Sequence, residues 1–378
     1  MRKTVLSAVL IGLLSGVTSF AQNGGGLSFD GVIASGIGWY FDDDGSKMLA
    51  VDNYMEAAGG WFRLNAALDN AEKTSGIKFR MEAQPASTNG LYPFVRYFYG
   101  YTNLFGDLVT LKGGMVDDAT FATAGDSIGT DADEGLGGLL IIKPFSMLKL
   151  GFGAYIGPRS GDKILNIKSA SNGEFDASDG AYTASLAFSL PDVFDYTLGY
   201  RFKFKNKDES DLDNQEKPDR LVTGVNIRVL KNVTLALDTL INGISDKSIT
   251  GMYALTTAYS NDLLTVGFDT MIQSADGKDD PALGFMLYGS YAVKKLVPRM
   301  DVYFGIGGTG GKMYYWEYYY EGVTYNTKDK FIGFRPSFKY NATESISVEC
   351  GDLINIRMPD GSDTTFDNSL YLSFVYKF

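Results

Sequence analysis

The chain has 378 residues, with 45 acidic against 34 basic side chains, a net charge of −11 and a mean hydropathy of −0.07. This acidity argues against nucleic acid as a partner. No apolar run long enough for a membrane helix occurs beyond the first 22 residues. Histidine is absent and Cys350 is the single cysteine. The commonest general base and metal ligand is therefore missing, and no intrachain disulfide can form. No enzymatic activity, catalytic residue, metal or cofactor is expected.

The first 21 residues read as a secretory signal peptide. Arg2 and Lys3 form a basic start, Val5 to Leu14 an apolar stretch, and Ser19-Phe20-Ala21 a small-x-small cleavage site. Cleavage there removes two basic residues and no acidic ones, taking the net charge from −11 to −13. Residues 22–378 show no shift in composition and are expected to form a single domain.

From residue 28 onward apolar residues recur with a period of two, as in Ile77-Lys78-Phe79-Arg80-Met81-Glu82-Ala83. Eighteen segments of about ten residues are expected as strands, although sixteen would also fit. In chain order they span 28–41, 59–69, 76–84, 94–102, 107–116, 134–143, 147–157, 180–190 and 194–205, then 219–229, 232–242, 250–260, 263–273, 282–293, 299–308, 328–340, 344–352 and 367–378. The connections alternate between short, such as Pro144 to Ser146 and Leu230 to Lys231, and long and polar, such as 206–218. Period-two strands joined by alternately short and long connections are the pattern of an all-β, antiparallel transmembrane barrel with short turns at one end and long loops at the other. The 45 glycines, 24 tyrosines and 25 phenylalanines suit a large twisted sheet with aromatic belts.

The last segment places Leu370, Leu372, Phe374, Tyr376 and Phe378 on one face. It resembles the C-terminal strand of bacterial outer-membrane barrels, which the assembly machinery of that membrane recognises. The mature chain as a whole resembles the general diffusion porins in pattern. The nearest local likeness is Leu108-Val109-Thr110-Leu111-Lys112-Gly113-Gly114, followed by an acidic connection from Asp117 to Asp133. In porins the third outer loop follows such a strand and folds inward to narrow the pore. The porin Pro-Glu-Phe-Gly-type loop signature is absent here. The resemblance implies a bacterial outer membrane location and a water-filled channel passing ions and small hydrophilic solutes. A substrate-selective channel for sugars or anions is the first alternative, and a structural or adhesive barrel with a closed lumen the second.

Alternation also assigns faces. With Phe62, Leu64, Ala66 and Leu68 facing lipid, Arg63 faces the lumen, as do Lys78, Arg80 and Glu82 on the next strand. Placing Val95, Tyr97 and Tyr99 outside puts Arg96 inside, and placing Leu111, Gly113 and Met115 outside puts Lys112 inside. These cations form a basic ladder, to which Arg201 and Lys203 add further along. Asp238, Asp269 and Asp301 are expected to face inward on later strands. Asp117, Asp118, Asp126, Asp131, Asp133 and Glu134 are candidates for a facing acidic loop, giving a transverse field across the bore. The tyrosine-rich stretch from Tyr314 to Tyr320 reads as an interfacial hairpin, with a sugar track as the alternative. Gly305-Ile306-Gly307-Gly308-Thr309-Gly310 matches a dinucleotide pattern without the helix that phosphate binding needs. The smooth segment Gly31 to Gly38 is a candidate surface for a homotrimer.

Overall fold

The computed structural model describes residues 26–42, 45–51, 61–86, 90–116, 121, 124, 135–156, 180–202, 204–205, 216–228, 230–245, 249–274, 281–306 and 329–378. The strands are β1 (Gly26–Asp42), β2 (Gly45–Val51), β3 (Trp61–Asp69), β4 (Ser75–Ala86), β5 (Gly90–Leu104), β6 (Val109–Val116) and β7 (Gly135–Phe145). They continue through β8 (Leu148–Ile156), β9 (Gly180–Leu190), β10 (Phe194–Arg201), β11 (Phe204–Lys205), β12 (Glu216–Lys217), β13 (Arg220–Ile227) and β14 (Val233–Asn242). The series ends with β15 (Thr250–Ser260), β16 (Leu264–Ser274), β17 (Ala282–Tyr291), β18 (Leu296–Ile306), β19 (Lys330–Asn341), β20 (Ile346–Met358) and β21 (Thr365–Lys377).

The sheet closes on itself. β1 pairs with β21 in an unbroken antiparallel register from Val32 opposite Lys377 to Phe41 opposite Asn368. On its other edge β1 pairs first with β3, from Gly26 opposite Asp69 to Ala34 opposite Trp61. Higher up it pairs with β2, from Gly36 opposite Val51 to Asp42 opposite Gly45. β2 and β3 thus share one place in the ring, and the barrel has eighteen strand positions. That settles eighteen against sixteen. β2 falls inside the expected connection 42–58, β11 lies at the end of the expected strand 194–205 and pairs with β12 inside the connection 206–218, and β20 runs on to Met358 rather than stopping at 352.

The short turns explain the tight hairpins. Among the described residues, every non-glycine with positive φ lies in one: Lys73, Phe105, Asp107, Asp192, Asn232 and Lys294. Left-handed backbone there matches the right-handed twist of the strands it joins. Side chains complete several turns. Asn70 Oδ1 accepts from the Thr74 and Ser75 amides at 2.8 and 3.1 Å, and Asn261 Oδ1 from the Leu263 and Leu264 amides at 2.9 and 2.8 Å.

The outward face is apolar. Ile33, Ile37 and Trp39 on β1 and Leu370, Leu372, Phe374 and Tyr376 on β21 are exposed there, with Phe378 following. Phe268, Phe285 and Phe304 form a cross-strand row at 6.1 Å between successive ring centroids. Phe378 also closes the seam: its amide donates to the Gly31 carbonyl at 3.1 Å, and its carbonyl oxygen accepts from the Gly31 amide at 3.0 Å. A Cβ on Gly31 would lie 2.4 Å from the Phe378 ring, so only glycine lets the terminal ring lie there. Cys350 is exposed, as a wall residue.

Candidate functional site

The inner face carries the polar and charged side chains, and register fixes which they are. Arg63 lies opposite Glu82, Asn65 opposite Arg80 and Ala67 opposite Lys78, so these residues share the inward side. Arg63 Nε donates to the buried Glu82 carboxylate at 2.8 Å. Arg80 Nε donates to Asn65 Oδ1 at 2.7 Å, and Asn65 in turn donates to Asp30 at 2.5 Å. Lys78 pairs with Asp69 at 3.1 Å, and Tyr101 donates its hydroxyl proton to the same carboxylate at 2.8 Å. Arg63, Lys78 and Arg80 therefore lie on one wall, each held in place by a neighbouring strand.

The third strand of the ladder, β5, differs from expectation. Arg80 pairs with Tyr97 but Met81 pairs with Val95, so Arg96 is the extra residue of a β-bulge. The bulge shifts the alternation by one position. Val95 keeps the outward side, whereas Tyr97, Tyr99 and Tyr101 turn inward, opposite to the assignment that strict alternation gives Tyr97 and Tyr99. Their rings then serve the cations: Arg80 sits over Tyr97 at 4.9 Å, Lys112 over Tyr99 at 4.6 Å and Lys78 over Tyr101 at 5.5 Å. Arg96 stands at the bulge itself and not in the regular ladder. Lys112 faces inward, opposite Tyr101.

Two cations join this wall beyond those expected from sequence. Lys143 and Lys149 flank the tight β7–β8 turn and line, with Lys78 and Lys112, a cavity of about 390 Å³. Its remaining walls include Tyr99, Tyr101, Asn103, Thr110 and Ile141. The signal for the new pair was present in the alternation of Lys143 with Leu140 and Ile142, and of Lys149 with Leu148 and Leu150.

Phe121 also lines the cavity. It belongs to the connection after β6, and its ring lies so near β8 that a Cβ on Gly151 would be 3.1 Å from it. The amide of Ala124, from the same connection, donates to Thr197 Oγ1 at 2.8 Å. Gly151 and Thr197 are buried, on the inward sides of β8 and β10. The segment after β6 therefore enters the barrel at Phe121 and Ala124. Asp117, Asp118, Asp126, Asp131, Asp133 and Glu134 lie outside the described residues, as do Lys203 and the stretch from Tyr314 to Tyr320.

The opposite wall balances its charges internally. Asp301 is fully buried and accepts from Arg299 Nε at 2.7 Å, Arg335 Nε at 2.8 Å and the Tyr303 hydroxyl at 3.2 Å. Tyr371 donates to Glu349 at 2.8 Å. Asp238 and Asp269 keep inward register, as does the buried Arg201, whose Nη2 donates to the Pro218 carbonyl at 2.9 Å. Toward the long-loop end apolar clusters join these polar groups on the inner face. Val222, Leu240 and Ala254 pack with Met252 and Met271, and Ala282, Tyr303, Phe331 and Leu353 with Met286. Among the described residues no group of side chains is arranged to hold a metal ion.

No family model and no curated protein matches the sequence. Solved structures do match in fold. OccK2 of Pseudomonas aeruginosa, crystallised in complex with glucuronate, superposes with a TM-score of 0.59 at 11% identity, covering 93% of this chain and 98% of its own. The outer membrane protein OprD of Pseudomonas aeruginosa gives 0.53 at 13% identity, with 93% of each chain covered. OccAB1 of Acinetobacter baumannii gives 0.57 at 10%, covering 93% of this chain and 97% of its own. The chain shares the fold of these proteins. At such identities the likeness concerns architecture, and the side chains that line this bore are its own.

Proposed function

We propose that the chain is an outer-membrane channel through which ions and small hydrophilic solutes diffuse down their gradients, with a preference for anions. The observation that carries this reading is the basic wall of Arg63, Lys78, Arg80, Lys112, Lys143 and Lys149, beside which the segment bearing Phe121 enters the bore. A closed barrel with an apolar outer belt satisfies its backbone hydrogen bonds internally, which is the condition for spanning lipid. Cations held over tyrosine rings at the inner face attract anions within a Debye length, about 10 Å at 0.1 M salt. The acidic residues carried by 117–134 would supply the opposite sign across the bore. The complex of OccK2 with glucuronate, an anion, supports the same reading through the shared fold. No covalent step is required. Outer-membrane lipid and, through the aromatic C-terminal strand, the barrel assembly machinery are its further proposed partners.

Planar-bilayer recording across a potassium chloride gradient tests the preference. The expected reversal potential has the sign of chloride permeation, and it moves toward zero when Arg63 and Arg80 are replaced by glutamine. A reversal potential of the cation sign in the unmodified protein would contradict the reading.

A further inference from the structure

We infer that the lysine cavity beside Phe121 is a binding site for a small organic phosphate, a reading that rests on and sharpens the anion preference above. Its four cations come from four strands: Lys78 on β4, Lys112 on β6, Lys143 on β7 and Lys149 on β8. Lys78 is already shared with Asp69. Among the described residues neither Lys143 nor Lys149 has an acidic partner, although the two stand on adjacent strands at the same short turn. Like charges gathered in one cavity repel, and an anion of charge near two relieves that repulsion better than a single carboxylate. All four cations are lysines. The lysine ammonium is a compact point charge that suits a tetrahedral oxyanion, whereas the planar arginine fork matches a carboxylate. The arginines of this wall, Arg63 and Arg80, are held by Glu82 and Asn65 and do not line the cavity.

The remaining surfaces fit the organic part. Thr110 donates its hydroxyl proton to Asn103 Oδ1 at 2.8 Å, which turns the Asn103 amide nitrogen into a neutral donor for ligand oxygens. Phe121 and Ile141 supply apolar contact on the walls, and Tyr99 and Tyr101 add ring faces of the kind sugars pack against. A volume of about 390 Å³ holds a phosphate with a sugar-sized body.

The test is single-channel recording with three probes of one size: glucose, glucuronate and glucose 6-phosphate, which carry about zero, one and two negative charges near pH 7. Current block by glucose 6-phosphate is expected at a concentration at least tenfold below that for glucuronate, with none from glucose. In the K143Q/K149Q variant its half-blocking concentration rises about tenfold, while the reversal potential moves toward zero but keeps the chloride sign through Arg63 and Arg80. Should that variant not fold, as judged by heat-modifiable gel mobility, K149Q alone is read, since Lys149 is exposed. Equal block by glucuronate and glucose 6-phosphate overturns the inference, as does block that survives the substitutions. Chloride preference without phosphate block defeats this inference alone. Phosphate block that disappears on substitution, in a channel of cation sign, supports the site and defeats the general anion reading.

Discussion

At the scale of single residues, the inner and outer faces handle charge in opposite ways. Asp301 is buried between Arg299 and Arg335, with no exposure of its own side chain. Removing one partner of such a group leaves uncompensated buried charge, at a cost of about 3 to 5 kcal/mol. Asp301→Asn is therefore expected to lower the denaturant midpoint of the detergent-folded barrel markedly, as followed by tryptophan fluorescence. On the outer face the exception is Asp352, paired with Leu370 in register. Among the described strands it is the one acidic side chain in a strand interior that faces outward; its Oδ1 has no partner, while the carboxylate accepts hydrogen bonds from the Asn368 side chain and from the Leu353 and Ser369 amides. A carboxyl against lipid is unfavourable, though less so than a basic group there. Asp352→Leu is expected to stabilise the barrel by about 1 kcal/mol. An unchanged or lower midpoint in the same unfolding assay would show that the hydrogen bonds from Asn368 and the backbone outweigh the cost of the carboxyl there.

At the scale of elements, the sequence made the eighteen strand positions legible because a lipid-facing side chain at every second residue leaves a strong periodic mark. Ile77 to Ala83 shows it, and the structure keeps that alternation in β4. The mark fails where geometry breaks the period. The bulge at Arg96 inverts Tyr97 and Tyr99 without any change in composition, because aromatic residues suit a belt and a lumen equally well. β2 was hidden in a connection because it takes up only the upper part of β1, beyond the reach of β3. Lys143 and Lys149 were readable by face, but their convergence with Lys78 and Lys112 depends on strand register, which no local pattern records. The inward path after β6 was expected only by likeness to porins, and the contacts of Phe121 and Ala124 now support it. Because Phe121 stands within the bore, Phe121→Ala is expected to raise single-channel conductance. Unchanged conductance would place the narrowest point elsewhere.

At the scale of the whole molecule, β1 and β21 close the main sheet into a ring, and its outer surface is left to lipid or to other copies. The proposed association through the outward face of β1 places Gly31, Ile33, Ser35 and Ile37 at the contact. Native mass measurement in mild detergent is expected to give a trimer, and a monomer would remove that proposal.

All of this depends on neighbouring residues of one strand lying in different solvents. The most direct check is cysteine labelling in a Cys350→Ser background, with the protein reconstituted in liposomes. Single cysteines at 78, 79, 80 and 81 along β4 are treated with a membrane-impermeant, water-soluble thiol reagent. Reaction at 78 and 80 with protection at 79 and 81 is the expected result. Uniform reaction at all four positions, or the reverse alternation, would contradict the account.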